Sequence, residues 1–203
     1  MREVEAAFAG ASDLELEIHY RRKDGRELWA PSDPATIRES IESRILALAR
    51  SHDLLTSDNW NGAGLHDLVD NALEPFGVAG GRAERFVITG ENLCLPPKAT
   101  LTLAIAFHEL ATNAVKYGAF SNEAGTILID WRVEAAPDGQ RLILCWREQD
   151  GPPVSPPARK GFGSWVIERG VAHELGGGVI LDYRPDGVVC TIDIPLPEVV
   201  HVK

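Results

Sequence analysis

The chain has 203 residues with 20 Lys+Arg against 30 Asp+Glu, a formal net charge of −10, and it is 44% apolar and 25% charged. That is a globular mixture rather than a disordered one, long enough for one domain and a fraction. The acidic balance argues against sequence-independent binding of nucleic acid or of an anionic lipid surface.

In chain order, Leu14-Glu15-Leu16-Glu17-Ile18-His19-Tyr20 alternates as a strand does, and Arg26-Glu27-Leu28-Trp29-Ala30 follows a turn signal at Arg22-Lys23-Asp24-Gly25. The pair predicts a β-hairpin that needs a partner surface. Pro31-Ser32-Asp33-Pro34 breaks the chain and starts a helix, Asp33 as N-cap and Pro34 at its first position. Ile37, Ile41, Ile45, Leu48, His52 and Leu55 then recur at helical spacing to about Thr56 and predict an amphipathic helix whose apolar face packs on the hairpin, the C-terminal part of the chain or a second copy.

A short helix is predicted over 63–73, a strand over 86–88, and a long helix from Pro96-Pro97 through Gly118. Strands are predicted over 126–134 and 141–148, around a turn at Pro137-Asp138-Gly139. Residues 150–160 hold four prolines and read as loop. A helix from Gly161-Phe162-Gly163-Ser164 to Leu175 stops at Gly176-Gly177-Gly178, and a hairpin over 179–183 and 188–194 closes the chain.

No apolar run approaches the roughly 18 residues of a membrane helix. Met1-Arg2-Glu3-Val4-Glu5 is not followed by the apolar segment of a secretory signal. Cys94, Cys145 and Cys190 sit among apolar neighbours without C-x-x-C spacing, which predicts free thiols and no structural zinc. The expectation is a soluble cytoplasmic protein.

Chemistry concentrates in Phe107-His108-Glu109-Leu110-Ala111-Thr112-Asn113-Ala114-Val115-Lys116-Tyr117-Gly118. On a helix, Glu109, Asn113 and Lys116 share one stripe. A carboxylate, a carboxamide and an ammonium so arranged suit a metal–phosphate ligand, although alone the trio reads more readily as a solvated face. Gly161-Phe162-Gly163-Ser164 opens a helix whose N-terminus presents free N–H groups to anionic oxygens, with Arg159 and Lys160 just before it. Upstream, a buried strand delivers Trp146-Arg147-Glu148-Gln149-Asp150-Gly151, placing a carboxylate at its end as an acceptor for an amino group, with Gly151 leaving room for a flat base.

Together these segments, from Leu101 to Leu196, resemble the catalytic ATP-binding (Bergerat) domain of histidine kinases. His108-Glu109 with Trp146-x-Glu148 resembles the signature of the HWE histidine kinases, and Gly161-Phe162-Gly163-Ser164 and Glu174-Leu175-Gly176-Gly177 fall in that family's order. The resemblance implies an α+β fold, a two-layer α/β sandwich preceded by a helical segment and a β-hairpin. It implies Mg-ATP as ligand, with Asn113 holding Mg²⁺, Glu109 polarising its water and Lys116 on phosphate. Glu148 and Gly151 would meet the base. Arg159, Lys160, Gly161, Phe162, Gly163 and Ser164 would form lid and phosphate cradle, with His108 and Tyr117 beside the nucleotide. Trp146 reads as packing.

The segment from Arg44 to Thr56 is similar to the second helix of the family's dimerisation and phosphotransfer domain. A segment like L-N-H-R-V-K-N, which carries the acceptor histidine in that family, is missing, and none of His19, His52, His66, His108, His173 and His201 is assigned as acceptor. His52 reads as a packed helix residue. The hairpin resembles the late strands of a PAS or LOV sensor. The expected organisation is a sensor remnant over 1–30, a partial phosphotransfer helix over 31–60 and the ATP-binding domain over 61–203. Expected partners are a response regulator or phosphotransfer protein and a second copy through the helix at 36–56, with neither nucleic acid nor membrane. The competing reading is an ATP- or ADP-binding scaffold that does not phosphorylate itself.

Overall fold

The computed structural model describes residues 17–21, 27–31, 34–57, 62–77, 83–137, 139–157, 162–196 and 200–201. The chain divides into two units, Met1–Ser43 and Arg44–Lys203. In the first, β1 (Glu17–Arg21) pairs antiparallel with β2 (Glu27–Pro31), His19 opposite Trp29. Residues 14–16, the expected start of the first strand, and the Asp33 cap lie outside the described residues.

Helix α1 (Pro34–Ser57) begins in the first unit and continues into the second. Among the described residues, most of its apolar stripe is left uncovered by the rest of the chain. Ile41, Ile45, Leu46 and Leu48 are exposed at 51%, 58%, 57% and 37%, whereas Ala47, Ser51 and Leu55 are buried. Ala47, Ser51 and Leu55 share one row of the helix, and Ser51 Oγ donates to the Ala47 carbonyl at 2.9 Å, so its polar atom is satisfied. Of the described members of the apolar stripe, Leu55 alone is buried. His52 stands on the open side, 57% exposed and 4.0 Å from Asp53.

The second unit is a two-layer α/β sandwich. After β3 (Ala63–Gly64), α2 (Leu65–Gly77) buries Leu65, Leu68, Val69, Ala72 and Leu73 at helical spacing. It runs four residues past the expected Leu73, carrying Pro75 in its last turn at the cost of one helical hydrogen bond. Strand β4 (Phe86–Thr89), β5 (Leu93–Leu95) and α3 (Pro97–Lys116) follow. Next come β6 (Thr126–Ala136), β7 (Gly139–Gln149), α4 (Phe162–Leu175), β8 (Gly178–Arg184), β9 (Gly187–Leu196) and β10 (Val200–His201).

The main sheet has the order β4-β6-β7-β9-β8, and β10-β5-β3 forms a small second sheet. Among the described residues only β4 and β6 pair in parallel, and α3 lies in the crossover between them, as a parallel pair requires. The remaining pairs of the main sheet are antiparallel, with Ile129 opposite Trp146 and Trp146 opposite Cys190. Alternation sends Ile127, Ile129, Trp131, Leu142, Leu144, Trp146, Ile192 and Ile194 into a core shared with Leu103, Phe107 and Leu110 of α3. The three free cysteines agree with the expectation.

Candidate functional site

Helix α3 is pre-set by Pro97 at its first turn and packs Leu103, Phe107, Leu110 and Ala114 into the core. The expected polar stripe is graded rather than uniformly solvated. Glu109 is only 5% exposed, Asn113 is half-buried and Lys116 is exposed on the last turn. Glu109 is gripped by a guanidinium from α1: Arg44 Nε donates to Oε1 at 2.6 Å and Nη2 to Oε2 at 2.9 Å.

His108, one residue before, turns away from this row. Its ring packs 5.3 Å from Phe76 of α2, and among the described residues neither Nδ1 nor Nε2 has a hydrogen-bond partner. Burial, the largest influence, lowers its pKa below 6.5, and Arg44 and Arg50 add to this against the opposing pull of Glu109. His108 does not line the cavity described below, because adjacent helical residues point roughly 100° apart.

The second wall is built by β7. Trp146 and Glu148, two residues apart on a strand, point to one face and are both buried. The Ala119 N–H donates to Glu148 Oε2 at 2.8 Å, and the Trp146 indole N–H donates to Oε1 at 3.3 Å. Burial raises the Glu148 pKa above 4.5, and these two donors partly offset that rise. Backbone packs closely here: a Cβ on Gly118 would sit 1.9 Å from Glu148 Oε2. At Gly151 a Cβ would sit 2.8 Å from Ala119 Cα, so the group approaching Gly151 is the protein's own backbone.

Between these walls lies a cavity of about 400 Å³, within the range of small-molecule sites. Leu110 and Asn113 of α3 line it with Tyr117, the residue that caps that helix, and Glu148 sits near the end of β7. Pro153, Val154 and Ser155 cover it from the loop, while Ser164, Tyr183 and Val188 come from α4 and the last hairpin. Tyr117 is 73% exposed at the rim. Ser164 is buried, its Oγ 3.5 Å from the Tyr183 hydroxyl.

Gly163, in the first turn of α4, faces the stripe. A Cβ there would lie 2.6 Å from Glu109 Oε2 and 3.8 Å from Asn113 Nδ2. Phe162 is the first residue of α4, whereas Arg159, Lys160 and Gly161 lie outside the described residues. Arg44, Tyr183 and Val188 are additions to the expected set. No local pattern marks any of them, since each reaches the site from an element distant in sequence. The arrangement offers the cavity a buried acceptor in Glu148 and, in Asn113, a carboxamide beside a helix N-terminus suited to anionic oxygens.

Residues 28–92, from β2 through the turn after β4, match the HWE histidine kinase family. The blue-light-activated histidine kinase of Brucella ovis is 36% identical over 168 residues, which is 82% of this chain and 34% of that protein. Its counterpart in Brucella anthropi is 34% identical over 81% of this chain and 33% of that protein. The chain thus spans about a third of the length of these curated relatives. Among solved structures, the histidine kinase domain from an Erythrobacter litoralis blue-light activated histidine kinase superposes with a TM-score of 0.59 at 20% identity, covering 77% of this chain and 75% of that one. A longer structure of the Erythrobacter litoralis kinase gives 0.62 at 18% identity, covering 79% and 50%. The structural likeness is one of fold. The matched residues and the Brucella relatives identify the chain as a member of the HWE histidine kinase family.

Proposed function

We propose that this chain is the core of an HWE-type histidine kinase that binds Mg-ATP and transfers the γ-phosphoryl group to a histidine, from which it passes to a response-regulator aspartate. The observation that carries the reading is the cavity, lined by buried Glu148 and by Asn113, whose Nδ2 lies 3.8 Å from the Cβ position of Gly163 in the first turn of α4. Glu148 accepts a hydrogen bond from the amino group of the base, and Leu110, Val154 and Val188 supply its apolar surroundings. Lys116 reaches phosphate from the rim. Gly163 and Ser164 present backbone N–H groups to phosphate oxygens, and Arg159, Lys160, Gly161 and Phe162 complete the cradle.

Among the described residues, no three of His, Cys, Asp and Glu form a metal cluster. The carboxamide of Asn113 fits Mg²⁺, which takes few protein oxygens and draws the rest of its shell from phosphates and water. When bound, that ion neutralises phosphate charge. Asn113→Ala is expected to weaken Mg-ATP binding by about 10- to 100-fold, the range of a lost bond to a charged group, and to remove its Mg²⁺ dependence. Calorimetry with and without Mg²⁺ checks this, and unchanged affinity sinks the assignment. Acid-labile, base-stable labelling from γ-labelled ATP, with an acceptor domain supplied in trans, supports histidine transfer. Binding without labelling favours the scaffold.

The Glu148 pKa gives a second test. The carboxylate form is the acceptor, and burial moves its protonation above pH 4.5. Mg-ATP affinity is therefore expected to fall on acidification with a midpoint above 4.5. In Glu148→Gln, whose amide does not titrate, that step disappears, which separates it from titration of the nucleotide. An unaltered pH profile in the variant contradicts the role.

The proposed organisation remains a sensor-like hairpin over 1–30, a phosphotransfer-type helix over 31–60 and the ATP-binding domain over 61–203. Exposed Ile41, Ile45, Leu46 and Leu48 support a homodimer through the helix at 36–56. Among the described residues no helix is long and apolar enough to cross a membrane. A reaction that uses ATP and a response regulator belongs in the cytoplasm, which is the location proposed.

A further inference from the structure

We propose that Arg44 is a positioning residue for Glu109, so that α1 supplies a working part of the phosphoryl-transfer site. The inference rests on the kinase reading above and goes beyond it, because the site then includes a side chain 65 residues upstream of the carboxylate it holds.

Three observations converge. The first is the fork itself: Nε and Nη2 of one guanidinium take both oxygens of one carboxylate, at 2.6 and 2.9 Å. These are lengths of charge-assisted bonds, and a bidentate fork fixes the carboxylate plane as well as its position. A lysine ammonium, a point charge, cannot do the second.

The second observation is burial. The Glu109 side chain is 6% exposed and that of Arg44 23%. Arg44 belongs to the same α1 row as Ala47, Ser51 and Leu55, all buried. The guanidinium is therefore carried by a packed helix face, unlike the exposed Arg38–Glu42 pair on the same helix, whose side chains are 74% and 62% exposed.

The third is where the held oxygen lies. Glu109 Oε2 is the atom that a Cβ on Gly163 would approach to 2.6 Å, with Asn113 Nδ2 3.8 Å from the same point. The oxygen taken by Nη2 thus borders the first turn of α4, where the phosphates are placed in the reading above. Each carboxylate oxygen keeps lone-pair capacity beyond its bond to Arg44, so Glu109 can still accept a hydrogen bond from the attacking group. Arg44 acts through Glu109.

The test compares Arg44→Met and Arg44→Lys with the unaltered chain, measuring Mg-ATP affinity by calorimetry and turnover as phosphate released from Mg-ATP. Both variants are expected to keep affinity within about threefold and to lose kcat by about tenfold or more, the scale of a misplaced catalytic group. Arg44→Lys should fail to rescue although it keeps the charge, which a merely structural ion pair does not require. In a Glu109→Gln background, Arg44→Met should produce no further slowing. Wild-type kcat in Arg44→Lys overturns the proposal. So does an equal slowing by Arg44→Met with and without Glu109. Arg44→Lys carries the comparison if Arg44→Met does not fold. An unaltered chain that neither binds nor turns over Mg-ATP defeats the kinase reading, and this proposal with it, a result distinct from the other two.

Discussion

Trp146→Ala is expected to lower the unfolding free energy by about 3–5 kcal/mol, the range for emptying a buried aromatic site. Trp146 is fully buried in the centre of the main sheet, between Ile129 and Cys190 on the neighbouring strands, so the surrounding backbone is tied on both sides and cannot collapse into the void. Trp146→Phe retains most of the apolar volume but removes the indole donor to Glu148 Oε1. Its expected loss is smaller, about 1–3 kcal/mol, from a buried acceptor deprived of one donor. The two substitutions also separate stability from function. Loss of the indole removes one of the two contacts that lower the Glu148 pKa, so the Phe variant should shift the midpoint of acid-dependent Mg-ATP release upward. Urea unfolding followed by calorimetry at several pH values measures both effects. A Trp146→Ala protein within 1 kcal/mol of the parent contradicts the packing argument.

The pair Trp146 and Glu148 shows how much of the site could be read from residue order. A spacing of two on a strand puts both side chains on one face, and that was the available signal that the tryptophan supports the carboxylate as well as filling the core. Long elements were legible for the same reason: α3, β6 and β7 carry enough residues for a period to be recognised. Strands β3, β5 and β10, of two or three residues, carry no period, and they form a sheet only because β5 finds partners distant in sequence. Helix α1 was legible as amphipathic, but its spacing does not say what covers the apolar face: Ile41, Ile45 and Leu48 are exposed, whereas Ala47, Ser51 and Leu55 are buried. Arg44 was invisible for a related reason: an ion pair across 65 residues leaves no trace in local spacing.

Gly163→Val is expected to reduce Mg-ATP affinity by about 100-fold or more while leaving the protein folded. The first atom added, Cβ, falls 2.6 Å from Glu109 Oε2 and 3.7 Å from Glu109 Cδ. A free glutamate would swing aside at little cost, but both oxygens of this one are held by Arg44. The γ carbons of valine then crowd the space toward Asn113, whose Nδ2 lies 3.8 Å from the Cβ position. The displacement falls on the first turn of α4, the turn whose N–H groups are assigned to phosphate. Gly163→Ala, adding only Cβ, should give an intermediate loss of about tenfold, since overpacking grows with added volume. Calorimetry on the series, with circular dichroism as the check on folding, measures the gradient. Pairing Gly163→Ala with Glu109→Ala removes the atom that the methyl meets, so the double variant should bind Mg-ATP as tightly as Glu109→Ala alone. Equal losses for Gly163→Ala in both backgrounds would mean that the glycine is needed for backbone contact with the ligand, and not for clearance from the held carboxylate.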